Sequence, residues 1–225
     1  MVTAMSEENE ARLYGRAFLY EMAHTVFGGE PNEALFEALC SPACLGTLQD
    51  MRHEGAALAR LVDFCERVGA DPEARAAELE RSVSDFNRVI AGLGANRESF
   101  PWESAYTSSK RLLFQVETLE VRNAYRAFGY QPELYPRVAD DHLALECAFM
   151  AALAKATLEA EDEAERDRLL AGQEDFLANH VLKWIEDYAR ELHDDASNGL
   201  YDLTAAALAE YAAADREFLG TLRHG

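Results

Sequence analysis

A chain of 225 residues with 49% apolar content is enough for one compact unit or two small subdomains. Its 41 Asp and Glu outweigh 21 Lys and Arg, a formal charge of −20. Such a surface repels phosphate backbones and anionic lipid, which excludes nucleic-acid binding and stable membrane association, and it attracts a basic partner over about one Debye length, roughly 8 Å at physiological ionic strength. The plainer alternative is that the acidity only keeps the protein in solution.

Residues Met1 to Arg12 hold Glu7, Glu8 and Glu10 but no basic n-region and no apolar h-region, so a secretory signal is not expected here. No stretch approaches the roughly 18 to 20 apolar residues that span a bilayer, and a cytoplasmic protein is expected. A first helix over about residues 8 to 27 would place Tyr14, Phe18, Met22 and Val26 on one side, and a short helix follows Pro31. Cys40 and Cys44 flank Pro42 in a spacing that matches no common zinc signature, while Cys65 and Cys147 fall in apolar stripes as small hydrophobes.

The period of an amphipathic helix recurs in Leu58, Leu61, Val62, Cys65 and Val68, and again in Leu79, Val83, Phe86, Ile90 and Leu93. Asp71-Pro72-Glu73 has the chemistry of a helix start, and Gly92 and Gly94 that of an end. After a loop over Gly94 to Trp102, a further stripe is Leu112, Leu113, Val116 and Leu119. Gly129 to Pro136, with two prolines and a glycine, interrupts the helical texture and reads as a hinge. The expected organisation is an N-terminal helical part over 1–128, a hinge loop over 129–139 and a C-terminal helical part over 140–225. The charge run from Glu159 to Arg168 suits a solvated helix face or turn, and Leu200, Leu203, Leu208, Tyr211, Phe218 and Leu222 continue the 3.6-residue period. With no run of two-residue alternation, the fold class is all-α, a helical bundle-like fold with a proline-containing hinge.

The segment Asp140-Asp141-His142-Leu143-Ala144-Leu145-Glu146 is the richest in chemistry. An Asp here would cap the helix that follows, placing His142 in its first turn and Glu146 one turn further on the same face, with Phe149 and Leu153 beyond. Two readings stay open: a polar pair at the mouth of a peptide site, or a cap and an intrahelical pair with no ligand. His180 and Trp184, one turn apart, lie in an apolar stripe of Phe176, Leu177, Val181, Ile185 and Tyr188. A histidine there suits a hydrogen-bonded core position better than a binding role.

The run Asp141, His142, Leu143, Glu146, Phe149 and Met150 resembles the characteristic segment of the TorD/DmsD family of redox-enzyme maturation chaperones. Pro101 to Tyr106 is similar to that family's short loop with its Glu103 and Tyr106, Tyr125 stands where an aromatic precedes the hinge, and Phe176, Leu177, His180 and Trp184 resemble its C-terminal helix. The ordered match covers about residues 100 to 190. Many members place Pro directly before the Asp-His pair, where this chain has Asp140, which loosens the hinge and adds negative charge. The resemblance implies a cytosolic chaperone, not an enzyme, with no cofactor and no metal. It would bind the twin-arginine signal peptide, or the apo form, of a molybdopterin oxidoreductase of the DMSO or TMAO reductase type before cofactor loading and export. Asp141, His142, Glu146, Phe149, Glu103, Tyr106, Tyr125 and Trp184 would then form the client site, in a monomer or a helix-exchanged dimer. An acidic balance agrees with an arginine-bearing ligand.

Two other classes remain as alternatives. A carboxylate metalloprotein of the di-iron kind needs two Glu-x-x-His pairs, and Glu21-Met22-Ala23-His24 supplies one. A general protein-interaction scaffold would have a different client. Neither a phosphate-binding GxxxxGK[ST] or GxGxxG run nor a GxSxG elbow occurs.

Overall fold

The computed structural model describes residues 6–91, 99–108, 111–132, 138–196 and 198–224. Among these it is all-α, with eleven α-helices and no strand. No described helix is long and apolar enough to cross a membrane. Contacts divide the chain into two compact units: one holds Met1–His24, Trp102–Trp184 and Ala212–Gly225, the other Thr25–Pro101 and Ile185–Tyr211.

In the second unit, α2 (Glu33–Leu39), α3 (Pro42–Met51), α4 (Ala56–Ala70) and α5 (Pro72–Asp85) pack on one another. Each start follows from a side chain. Asn32 accepts the Leu35 N–H for α2, Ser41 accepts the Cys44 N–H for α3, and Asp71 accepts from Glu73 and Ala74 for α5, with Pro72 at the first helical position. The predicted stripe Leu58, Leu61, Val62, Cys65 and Val68 is buried throughout. Phe27 sets its ring against Tyr188 and Tyr201, at 6.1 and 5.7 Å.

The expectation for α5 needs correction. Glu78, Ser82 and Asp85 turn inward, while Leu79, Val83 and Phe86 are half-buried. The acids tolerate this because Arg81 lies 3.6 Å from Asp85 and Arg88 pairs with it at 2.8 Å. The chain then winds as a π-helical turn over Phe86–Ile90, closed by a hydrogen bond from Ala91 N–H to Phe86 O at 2.8 Å. The wider turn shifts the phase and brings Val89 and Ile90 inside. The expected helix end at Gly92 and Gly94, and Leu93 with it, lies outside the described residues.

The first unit is built on α8 (Leu143–Glu159), α9 (Glu163–Asn179) and α7 (Val116–Ala127), with a short α6 (Ser104–Thr107). Alpha-8 is apolar on nearly every side, as a helix must be when the core surrounds it. Its end at Glu159 and the start of α9 at Glu163 put the 159–168 charge run in a turn and an exposed helix start. Helix α7 begins at Val116, later than the leucine stripe implied. Arg111 and Phe114 hold φ of 51° and 59°, outside helical space, so Leu112 and Leu113 precede the helix. Its buried side is Thr118, Val121 and Tyr125, and Leu112, Val116 and Leu119 are exposed beside Phe114, which is 73% exposed. Gly129 takes φ +67°, the left-handed turn that ends the helix, while Glu133 to Pro136 of the hinge lie outside the described residues.

Helix α1 (Glu7–Gly28) and the C-terminal helix α11 (Leu200–His224) contribute to both units, and α10 (Ile185–Ala196) belongs to the second. Tyr14, grouped by periodicity with the buried Met22 and Val26, is 58% exposed; the inward face is Leu13, Arg16, Ala17 and Tyr20. The shift has a cause in charge. Arg16 is fully buried, forms an ion pair with Asp215 through Nε, reaches Asp215 Oδ2 through Nη2 at 3.1 Å and donates to Gln173 Oε1 at 2.9 Å. Tyr20 donates to the same Asp215 at 2.8 Å. Removing one partner of a buried ion pair strands the other, so Asp215→Ala is expected to cost about 3–5 kcal/mol in urea denaturation. Tyr14→Ser should stay within about 0.5 kcal/mol of the parent. A loss under about 1 kcal/mol for Asp215→Ala would mean that water reaches Arg16.

Candidate functional site

The residues singled out around Asp141 meet inside the first unit, and they meet as an interior network. Asp141 is fully buried; its Oδ2 accepts the Ser104 N–H at 3.0 Å, its Oδ1 accepts the Thr118 hydroxyl at 2.9 Å, and its carbonyl accepts the Glu103 N–H at 3.0 Å. One residue thereby ties the Trp102–Thr107 segment and α7 to the start of α8.

Asp141 is not the helix cap. His142 occupies that position in extended backbone (φ −79°, ψ 135°), and its Nδ1 accepts the Ala144 N–H at 3.1 Å. The Trp102 indole meets the His142 ring edge-on at 5.0 Å, alongside an isolated antiparallel bridge between the two residues. Burial lowers the His142 pKa to about 3, with His24 adding to the effect, so the ring is neutral and free to accept. His24 itself bonds the Ala144 carbonyl through Nδ1 at 2.9 Å, and Glu21 pairs with Lys155 at 2.7 Å. Both halves of the single Glu-x-x-His pair are thus engaged with groups other than a metal, and among the described residues no three His, Cys, Asp or Glu are placed to hold one.

Glu146 does not pair with His142 across the turn. It is fully buried and accepts the Trp184 Nε1–H at 3.3 Å through Oε2. Burial pushes its carboxyl well above the usual carboxylate range, with Glu103 and Asp141 adding to the rise. No hydrogen-bond partner meets Oε1 among the described residues. Glu103, also raised by burial, is held on its other side by His180, whose Nδ1 lies 2.9 Å from Oε2. Two carboxyls in one dry pocket resist ionising together, and they titrate as a pair.

The aromatic members close the network. Trp184 is buried and stacks on the half-buried Tyr106 at 5.6 Å, and the Arg111 guanidinium sits 5.0 Å over the Tyr106 ring. Tyr125 donates its hydroxyl to the Asp140 carbonyl at 2.8 Å and packs on Phe149 at 4.8 Å and Phe176 at 5.9 Å. Asp140 pairs with Arg122 at 2.6 Å, so the charge placed before the Asp-His pair is neutralised locally. Thr118, Ser104 and Arg122 went unnoticed in the sequence, since nothing in their spacing points to residues 18 to 37 positions away. Of the eight site candidates only Tyr106 is partly open to solvent; the others shape the surface from beneath it.

The fold and this network define a class of all-helical protein whose motif residues meet in the interior. Residues 49–190 match the nitrate reductase delta subunit family, and the chain belongs to that family, of the TorD/DmsD type. Among its relatives, the chaperone protein TorD of Vibrio cholerae is 30% identical over 147 residues, 65% of this chain and 65% of that protein. TorD of Vibrio parahaemolyticus is 25% identical over 121 residues, 54% of this chain and 56% of its own length, and TorD of Aliivibrio salmonicida is 24% identical over 143 residues, 64% and 66%. The match thus spans just under two thirds of the V. cholerae relative.

The raised carboxyl and the lowered imidazole act on stability with opposite signs. Glu146 holds its proton more tightly folded than unfolded, so its stabilisation is complete below about pH 4.3, the unfolded value, and fades as pH rises toward the folded one. His142 holds its proton less tightly folded, so its stabilisation is complete above about pH 6.5 and fades as pH falls toward its folded value. Glu146→Gln should therefore gain on the parent as pH rises through the neutral range, and His142→Asn, which keeps a capping acceptor, should gain as pH falls below about 6.5. Thermal melting from about pH 5 to 9 checks both. A Glu146→Gln curve parallel to the parent would show Glu146 ionised in the fold.

Proposed function

We propose that this protein is a cytoplasmic chaperone, and not an enzyme, for the maturation of a redox enzyme. Its client would be a molybdopterin oxidoreductase of the DMSO or TMAO reductase type, bound through the twin-arginine signal peptide or as the apo form before cofactor loading and export. The observation that carries this is the family match over 49–190, which encloses every site residue from Glu103 to Trp184. The names of the TorD relatives add the chaperone activity, which is carried to this chain as part of the proposal.

The geometry supports a positioning role for the motif. Asp141, His142, Glu146 and Glu103 fix the Trp102–Thr107 segment against α7 and α8, while Phe149, Tyr125, Trp184 and Tyr106 supply the aromatic wall beside it. Ligand contact falls to what this frame presents: the half-buried Tyr106 and Trp102, and the exposed Leu112, Phe114, Val116 and Leu119 that follow. An exposed apolar set of this kind suits the apolar stretch of a signal peptide, and the acidic surface suits its arginines.

Co-expression with a candidate oxidoreductase, with and without its signal peptide, tests the reading. The full-length client is expected to co-purify and the truncated one to be recovered less well; equal failure of both would refute it. Peptide affinity should also fall as salt rises from about 50 to 500 mM, since exposed charges are then screened. An unchanged affinity would leave recognition to apolar contacts alone.

A further inference from the structure

A second feature of the first unit lies beside the buried network. Between α7, α8 and α9 is an apolar cleft of about 360 Å³ whose lining includes Phe128, Phe149 and Phe176, with Ala124 and Ala171 at its walls. It exists because small residues face it. The Phe128 ring lies against Gly172, where a Cβ would overlap the tip of the ring, so glycine there lets the ring fold down into the wall. Phe149 and Phe176 meet edge to face at 4.8 Å, and His180, anchored to Glu103, lines the cleft beside Phe176. These side chains are fixed by the buried network, so the cleft is formed before any ligand arrives.

Its charges select the occupant. Arg168 is already committed, 4.6 Å over the Phe128 ring and bonded twice to Glu165 at 2.7 and 2.8 Å. Asp175, one turn beyond Ala171 on α9, is exposed, and no ion pair engages it among the described residues. The uncommitted charge of the cleft is thus negative, on a chain of net charge −20. An acidic ligand would be repelled, and a purely apolar one would leave Asp175 unused.

We propose that this cleft is a socket for one aromatic or large aliphatic side chain of a basic peptide, with Asp175 taking the adjacent arginine or lysine. The assignment rests on the client-peptide reading above and gives it a specificity-determining subsite that, of the eight site candidates, only Phe149 lines.

The test uses the full chain and a short fluorescein-labelled synthetic peptide with two adjacent arginines and one phenylalanine close by, read by fluorescence anisotropy. Ala171→Phe, which fills the cleft from a half-exposed position, and Asp175→Lys, which reverses its free charge, should each weaken binding by about tenfold with melting unchanged. Replacing the peptide's phenylalanine by alanine should weaken binding to the parent protein similarly, and should cost little more against Ala171→Phe, because one contact cannot be lost twice. If Ala171→Phe fails to fold, Asp175→Lys and the peptide variant decide the matter. Parent-like affinity in these variants, with the peptide still bound, would overturn the socket and leave the chaperone reading standing. No binding to the parent protein would overturn both. A concentration-dependent dimer abolished by Ala171→Phe would assign the cleft to a second copy of the chain and overturn the peptide socket.

Discussion

The carboxylate of Asp141 is the tie on which the first unit depends. It has no solvent and no cation beside it among the described residues, so its charge is met by the Ser104 N–H and the Thr118 hydroxyl, while its own carbonyl takes the Glu103 N–H. Charge-assisted hydrogen bonds of this kind are among the stronger ones a core can hold, and leaving a buried carboxylate without them is costly. Three segments far apart in the chain are thereby fixed together: the Trp102–Thr107 stretch, the first turn of α7 and the start of α8. Everything else in the network takes its position from that junction.

The other polar groups of the network adjust to burial one by one. His142 stays neutral so that it can cap α8, burial raises the Glu146 carboxyl within an apolar helix, and Glu103 is held by His180. Glu146 accepts the Trp184 indole N–H, and the burial that raises its carboxyl favours the neutral form that suits an apolar helix. The arrangement holds a rigid interior under an aromatic surface. That fits the recognition role proposed above, where a prearranged surface lowers the entropy lost on binding.

The two units manage buried charge differently. In the first, Arg16 and Asp215 join α1 to α11 with Gln173 and Tyr20 completing the set, while Gln173 also reaches Thr157 on α8 at 2.9 Å. In the second, the inward acids of α5 lean on Arg81 and Arg88, which keep one side toward solvent. The fully enclosed network specifies which helices meet. The half-open one tolerates an irregular turn at Phe86–Ile90.

The sequence by itself determined the fold class, the helix start at Asp71, the buried stripe of α4 and the family, because caps and periodicity act within a few residues and a motif survives as a string. It also brought forward His180 as a hydrogen-bonded core residue, and its partner proved to be Glu103. What it could not determine were the places where a distant charge outbids local hydrophobicity. Tyr14 yields the inside to Arg16 because Asp215 waits 199 positions away, and Leu79 and Val83 turn partly outward while Glu78 and Asp85 go in. Asp141 looked like a cap because Asp caps helices; only the fold brings Ser104 and Thr118 to it and leaves the capping to His142. The cleft beside Phe128 has no linear signature at all, since a cavity is a property of which small side chains happen to face one another across three helices.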